Sequence, residues 1–172
     1  MISIIPLFSL ALTLATSALG QSNGKTNLKF CQDSAHKNYF ESKTPPVGNS
    51  TVPSFTGSPN KEFCFEFGVK LVKEGSFPDE TRVGITVYSD QDLIWNDNQP
   101  LCNVYTKAPA SICSTSTNDP KTDESIISGC ISLGTTELKN PRVEGTKGTV
   151  YVDFYNSEGL SFVCASGPVK FI

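Results

Sequence analysis

Between Glu62 and Lys73 the chain reads EFCFEFGVKLVK. Phe63, Phe65, Phe67, Val69 and Leu71 take the odd positions. Glu62, Cys64, Glu66, Gly68 and Lys70 take the even ones, with Val72 the one aliphatic residue out of phase. A period of two belongs to a β-strand with one apolar face and one mostly solvated face. Three successive phenylalanines on one face allow two readings, a densely packed sandwich core or the wall of an apolar cavity. Aromatic stripes usually just pack.

The same alternation recurs along the chain. Leu28–Cys31 is a short candidate strand, and the polar run Gln32–Glu41 suits a helical turn. Ser42–Lys61 holds Pro45, Pro46, Pro53 and Pro59 and reads as a long loop or edge segment. After a turn at Glu74–Glu80, Arg82–Tyr88 alternates again, with Val83, Ile85 and Val87 on one face, as a hairpin partner for the first strand. Leu93–Trp95 is a short apolar piece closed by a turn at Asn96–Asn98. Gln99–Tyr105 suggests a strand carrying Cys102, and Thr106–Ser125 is polar and weakly patterned. Ile126–Leu133 is a strand with Cys130. Thr149–Tyr155 puts Val150, Val152 and Phe154 on one face, and Asn156–Gly159 is a turn. Leu160, Phe162 and Cys164 continue an inward face. Ala165–Pro168 breaks it, and Val169–Ile172 ends the chain as a short strand. No window carries a helical stripe. The pattern predicts an all-β fold, an antiparallel sandwich of about seven or eight strands.

Composition narrows the setting. Residues 1–20, MISIIPLFSLALTLATSALG, carry no charged side chain and end in small residues. They read as a signal peptide cut before Gln21, rather than as a membrane anchor. Residues 21–172 then form a single domain, long enough to bury a core. Of the 172 residues, 14 are basic and 17 acidic, for a net charge of −3 without a basic stripe, which argues against nucleic acid as a partner. Six cysteines (Cys31, Cys64, Cys102, Cys113, Cys130, Cys164) in a secreted chain read as three disulfides, whose pairing the spacing leaves open. No CxxC pair offers a zinc site. Asn49-Ser50-Thr51 is an N-glycosylation sequon in a proline-flanked loop.

Candidate chemistry is sparse. His36 is the single histidine, in a polar run, and reads as a surface residue. No GxSxG elbow accompanies it. Glu62, Glu66 and Asp153 lie on solvated strand faces, with nothing setting two of them across a groove. Asp90, Asp92 and Asp97 lack calcium-loop spacing and read as turn residues. Trp95 suits either a partly buried sandwich position or an apolar lip. Tyr88, Tyr105, Tyr151 and Tyr155 read as surface or cross-strand residues. Neither a catalytic residue, a metal site nor a cofactor is expected.

One resemblance adds to this. Pro141, then Gly148 opening the strand Val150-Tyr151-Val152-Asp153-Phe154, then Gly159, then Leu160, Phe162 and Cys164, then Val169-Lys170-Phe171, resemble the ML (MD-2-related lipid-recognition) family. That family of secreted lipid-recognition domains includes fungal-type phosphatidylglycerol/phosphatidylinositol transfer proteins and Niemann-Pick-type sterol carriers. The resemblance implies an immunoglobulin-like sandwich whose sheets part at one end to admit a phospholipid tail or a sterol. It implies the pairs Cys31–Cys164 and Cys102–Cys113, and Cys64–Cys130 in place of the family's short-range second bridge. The cavity would be lined by Phe63, Phe65, Phe67, Val69, Val83, Ile85, Val150, Val152, Phe154 and Phe162, with Trp95 at its mouth.

The reading that follows is a secreted or lumenal, monomeric lipid carrier that touches membranes transiently and has no enzymatic activity. A hollow of some hundreds of cubic ångströms, left empty, would cost on the order of 10 kcal/mol, so a ligand or covalent staples must offset it. The alternative is a disulfide-stapled sandwich with a solid core that acts through its surface, as an effector, adhesin or inhibitor. A small secreted hydrolase is a minor third reading.

Overall fold

In a computed structural model, the protein is described over residues 24–53, 62–72, 77–78, 80–107, 125–132 and 144–172. The signal-peptide reading, Pro141 and Cys113 fall outside these residues. The strands are β1 (Lys25–Asn27), β2 (Lys29–Phe30), β3 (Phe40–Ser42), β4 (Val47–Asn49), β5 (Thr51–Val52) and β6 (Glu62–Leu71), followed by β7 (Arg82–Ser89), β8 (Asp92–Pro100), β9 (Tyr105–Lys107), β10 (Ser125–Ser132), β11 (Lys147–Tyr155) and β12 (Ser161–Phe171). A 3-10 turn spans His36–Asn38, and one helical turn, α1, spans Leu101–Val104.

Among the described residues the strands form two sheets of six. One runs β1-β4-β6-β10-β9 with β3 also on β6; the other runs β2-β12-β11-β7-β8 with β5 also on β12. The pairings are antiparallel except β5 with β12, which is parallel. The alternation read from sequence is what closes the sandwich. Phe63, Phe65, Phe67 and Val69 of β6 are buried, as are Ile127 and Ile131 of β10. They face buried Val83, Ile85 and Val87 of β7 and Val150, Val152 and Phe154 of β11. Two apolar faces, each useless in water, thus remove each other from it.

Two disulfides brace this arrangement. Cys64 and Cys130 stand directly opposite each other on β6 and β10, Cα atoms 4.0 Å apart, on the outward side of the first sheet. Cys31–Cys164 ties the segment after β2 to β12. Both match the pairs implied by the family resemblance. Cys102 is disulfide-bonded as well.

Several local expectations are corrected. Asn96–Asn98 is not a turn: β8 runs through it, with Asp97 opposite Ile85 and Asn96 opposite Thr86. Cross-strand pairing outweighs the turn preference of the three residues. Asp92 and Asp97 are accordingly strand residues, while Asp90 sits in the hairpin turn at φ 53°. Cys102 lies on α1, not on a strand. The proline-rich stretch contributes β4 and β5, and Pro45 and Pro46 precede β4 where no ladder donor is needed.

The largest correction concerns β12, which is one continuous strand through Ala165–Pro168. The N–H of Lys170 points to Ser50 and the carbonyl of Cys164 to Cys31, so even-numbered residues bond on the β2/β5 side. The donor Pro168 lacks would point there too, between the stretch paired with β2 (Ala165, Ser166) and the stretch paired with β5 (Lys170, Phe171). A proline fits where the ladder is interrupted. The inward parity also differs. A register shift at Phe154/Tyr155 leaves both Phe162 and Val163 buried, and the inward set becomes Val163, Ala165, Val169 and Phe171. Leu160 is 61% exposed, and Cys164 lies on the opposite side.

Candidate functional site

The interior is not uniform. Toward the end where β11 turns into β12, it is almost wholly aromatic. Phe65 and Phe67 of β6 meet Phe154 of β11 across the gap between the sheets, ring centroids 6.2 and 5.4 Å apart. Phe77, from the β6–β7 connection, stacks on Phe40 at 6.2 Å and contacts Phe154 and Phe162 at 6.1 and 5.8 Å. Tyr39 closes the group against Phe162 at 4.5 Å. At these separations, rings are in van der Waals contact. At Phe67–Phe154 the gap between the sheets is therefore spanned by the protein's own side chains.

The expected lining residues Phe63, Phe65, Phe67, Val69, Val83, Ile85, Val150, Val152, Phe154 and Phe162 are all buried in one core cluster. Of Trp95 only its place is described, on β8 opposite Val87. Phe77, Phe40 and Tyr39 were not read as part of the interior. Tyr39 and Phe40 are neighbours in a polar run and Phe77 is a lone ring in a turn-like segment, and no periodicity marks any of them.

The segment from Cys31 to Phe40 straps the aromatic end. It leaves β12 at Cys31–Cys164 and reaches β6 through β3, with the N–H of Ala35 donating to the carbonyl of Phe162 and that of Val72 to Tyr39. His36 lies inside this strap, only 8% exposed, which corrects the surface reading. Its ring stacks on Phe30, centroids 3.6 Å apart and planes within 8°. The ring Nδ1 lies 3.2 Å from Ser34 Oγ, and that hydroxyl accepts the N–H of Cys164. Burial holds the imidazole below its ordinary pKa, and the charge of Lys37 adds to this against an opposing hydrogen bond at Ser34. Ser34 and His36 thus brace the strap to β12. Among the described residues no carboxylate completes a triad with them.

The remaining candidates sit outside. Glu66 pairs with Lys25 at 3.5 Å across an exposed surface. Glu62, Cys64 and Cys130 cluster closely enough to suggest a metal, but the two sulfurs are in the disulfide and hold no thiolate. Asn49 is on β4 and not in a loop, and its side-chain amide donates to the carbonyl of Glu62 at 3.2 Å. Tyr88 and Tyr151 form the cross-strand contact expected of them, edge to face at 5.8 Å.

Among the described residues no helix is long and apolar enough to cross a membrane. No family model and no curated protein sequence matches the chain. Among solved structures it is similar to chicken MD-1 complexed with lipid IVa, at 14% identity over 84% of this chain and 88% of that chain, with a TM-score of 0.38.

Proposed function

We propose that this protein binds a lipid, taking an acyl chain or a sterol between its two sheets at the aromatic end. The observation that carries the reading is how that end is closed. Phe77 comes from the β6–β7 connection and belongs to no strand, and its ring meets Tyr39, Phe40, Phe154 and Phe162. Moving it breaks no ladder. Beside this end, Val72 and Leu160 expose 56% and 61% of their surface, an apolar rim where a tail can leave a membrane. The sequence resemblance to secreted lipid-recognition domains supports the same reading, and the disulfides fit an oxidising, secretory setting. Each methylene buried would contribute about 0.8 kcal/mol. The ligand must displace rings, because Phe67 and Phe154 already touch across the gap.

That ring contact also favours a second reading, a solid scaffold acting through its surface. Uptake of a fluorescent fatty acid separates the two. On the lipid reading the wild type takes it up, Phe77→Ala takes it up faster, and a folded Phe65→Asp variant does not. No uptake by wild type or by Phe77→Ala, with lipid-free protein on native mass spectrometry, leaves only the scaffold.

A further inference from the structure

The outward face of the second sheet carries side chains that the interior does not use. On β11, Tyr151, Asp153 and Tyr155 alternate with buried Val152 and Phe154, so all three point away from the core. Pairing with β7 sets Thr86 opposite Tyr151, Gly84 opposite Asp153 and Arg82 opposite Tyr155. Tyr88, two pairs further along, meets Tyr151 with planes at 87°. Tyr155 leans over Gly84, where an added Cβ would come within 2.7 Å of its ring. Glycine at that position lets the ring lie down along the strand beside Asp153.

Asp153 is half-buried in this setting. It accepts a hydrogen bond from Ser161 Oγ at 2.9 Å and has no cationic partner among the described residues. Arg82, on the same face, is turned to Asn98, with Nε on Oδ1 at 2.9 Å and Nη2 on the backbone oxygen at 3.0 Å. Burial raises the Asp153 carboxyl above its ordinary pKa, with the Ser161 bond opposing. The Tyr155 hydroxyl is raised by burial, then by Asp153 and Tyr88. A partly desolvated carboxylate and the negative faces of tyrosine rings attract the same kind of group, and among the described residues no cation pairs with Asp153, Arg82 being held on Asn98.

We propose that Tyr88, Tyr151, Asp153 and Tyr155 form a binding face for an organic cation of the quaternary-ammonium class. Such a cation is weakly hydrated, so its methyl groups can rest on ring faces while the carboxylate supplies the counter-charge. The face lies on the outside of the sheet whose inner side packs the core, so the proposal stands apart from lipid uptake.

The test titrates the full chain with tetramethylammonium chloride against matched sodium chloride, following the tyrosine ring and Asp153 side-chain signals by NMR. Saturable binding is expected. Asp153→Asn and Tyr151→Ala should each weaken it about tenfold or more, a difference easily resolved. His36→Gln, on the strap, should leave it unchanged. Because binding favours the ionised carboxylate, the Asp153 titration should move to lower pH as the cation binds. Thermal unfolding of each variant confirms that it is folded. The proposal is overturned by shifts no larger than sodium chloride gives, by equal binding of a neutral tert-butyl alcohol, or by Asp153→Asn binding like the wild type. Binding of a neutral oligosaccharide in preference to the cation also overturns it.

Discussion

Gly48 decides how closely β4 can lie on the core. A Cβ added there would stand 2.6 Å from Cζ and 3.0 Å from Cε1 of Phe63, a ring that is itself fully buried. The ring has no free space to yield into, so Gly48→Ala should destabilise the fold by about 1–3 kcal/mol in urea unfolding. His36 sets a pH dependence at the same scale. Its folded pKa lies below the ordinary 6.5, so the unfolded chain binds its proton first as pH falls. The stability its neutral form contributes is complete above that ordinary value and declines below it, down to the depressed value. The urea midpoint of the wild type should therefore drop as the pH falls below the ordinary histidine value. His36→Gln should flatten that drop, and an identical slope in both proteins would refute the assignment. The charge of Lys37 adds to the effect of burial, and neutralising it should lessen the depression.

Among the elements, β12 shows how a register shift redistributes burial. Were the alternation unbroken from Leu160, that residue, Phe162 and Cys164 would share the interior. The shift at Phe154/Tyr155 instead buries Phe162 beside Val163 and leaves Leu160 outside. Phe162 touches Tyr39, Phe77 and Phe154. Its replacement by alanine should cost about 3–5 kcal/mol in chemical unfolding, whereas Leu160→Ala should stay within about 0.5 kcal/mol. Comparable losses at both positions would contradict the shifted register. The outward parity of Cys164 is what lets it reach Cys31 on the strap, so one irregularity places a core ring and a disulfide together.

For the whole molecule, the decisive feature is that two sheets are held by their facing side chains and by the strap from Cys31 to Phe40. If a lipid enters between them, it binds the folded state alone. Delipidated protein should then melt higher when phospholipid or sterol is added, by about 2.7 kcal/mol at a hundredfold excess over the dissociation constant. A melting point indifferent to every lipid tried belongs to a solid scaffold. The strap predicts where entry acts: protection from hydrogen exchange should rise first at Tyr39, Val72 and Phe77, not at the β7–β8 hairpin.

The alternating stretches at β6, β7 and β11 made the sandwich legible, because a period of two separates faces without help from any neighbour. Their inward residues, Phe63 through Phe154, were named correctly as apolar faces for that reason. The Cys31–Cys164 and Cys64–Cys130 pairs came only through the family resemblance, since spacing alone cannot choose among pairings. Three things depended on the folded chain. Asn96–Asn98 became strand because β7 supplied partners that outweigh local turn preference. His36 became interior because Phe30 and Ser34 converge on it from outside its own polar run. Phe40 and Phe77 joined the aromatic end because neither lies in an alternating run, and only long-range packing brings Phe40 to Phe67 and Phe77 to Phe154.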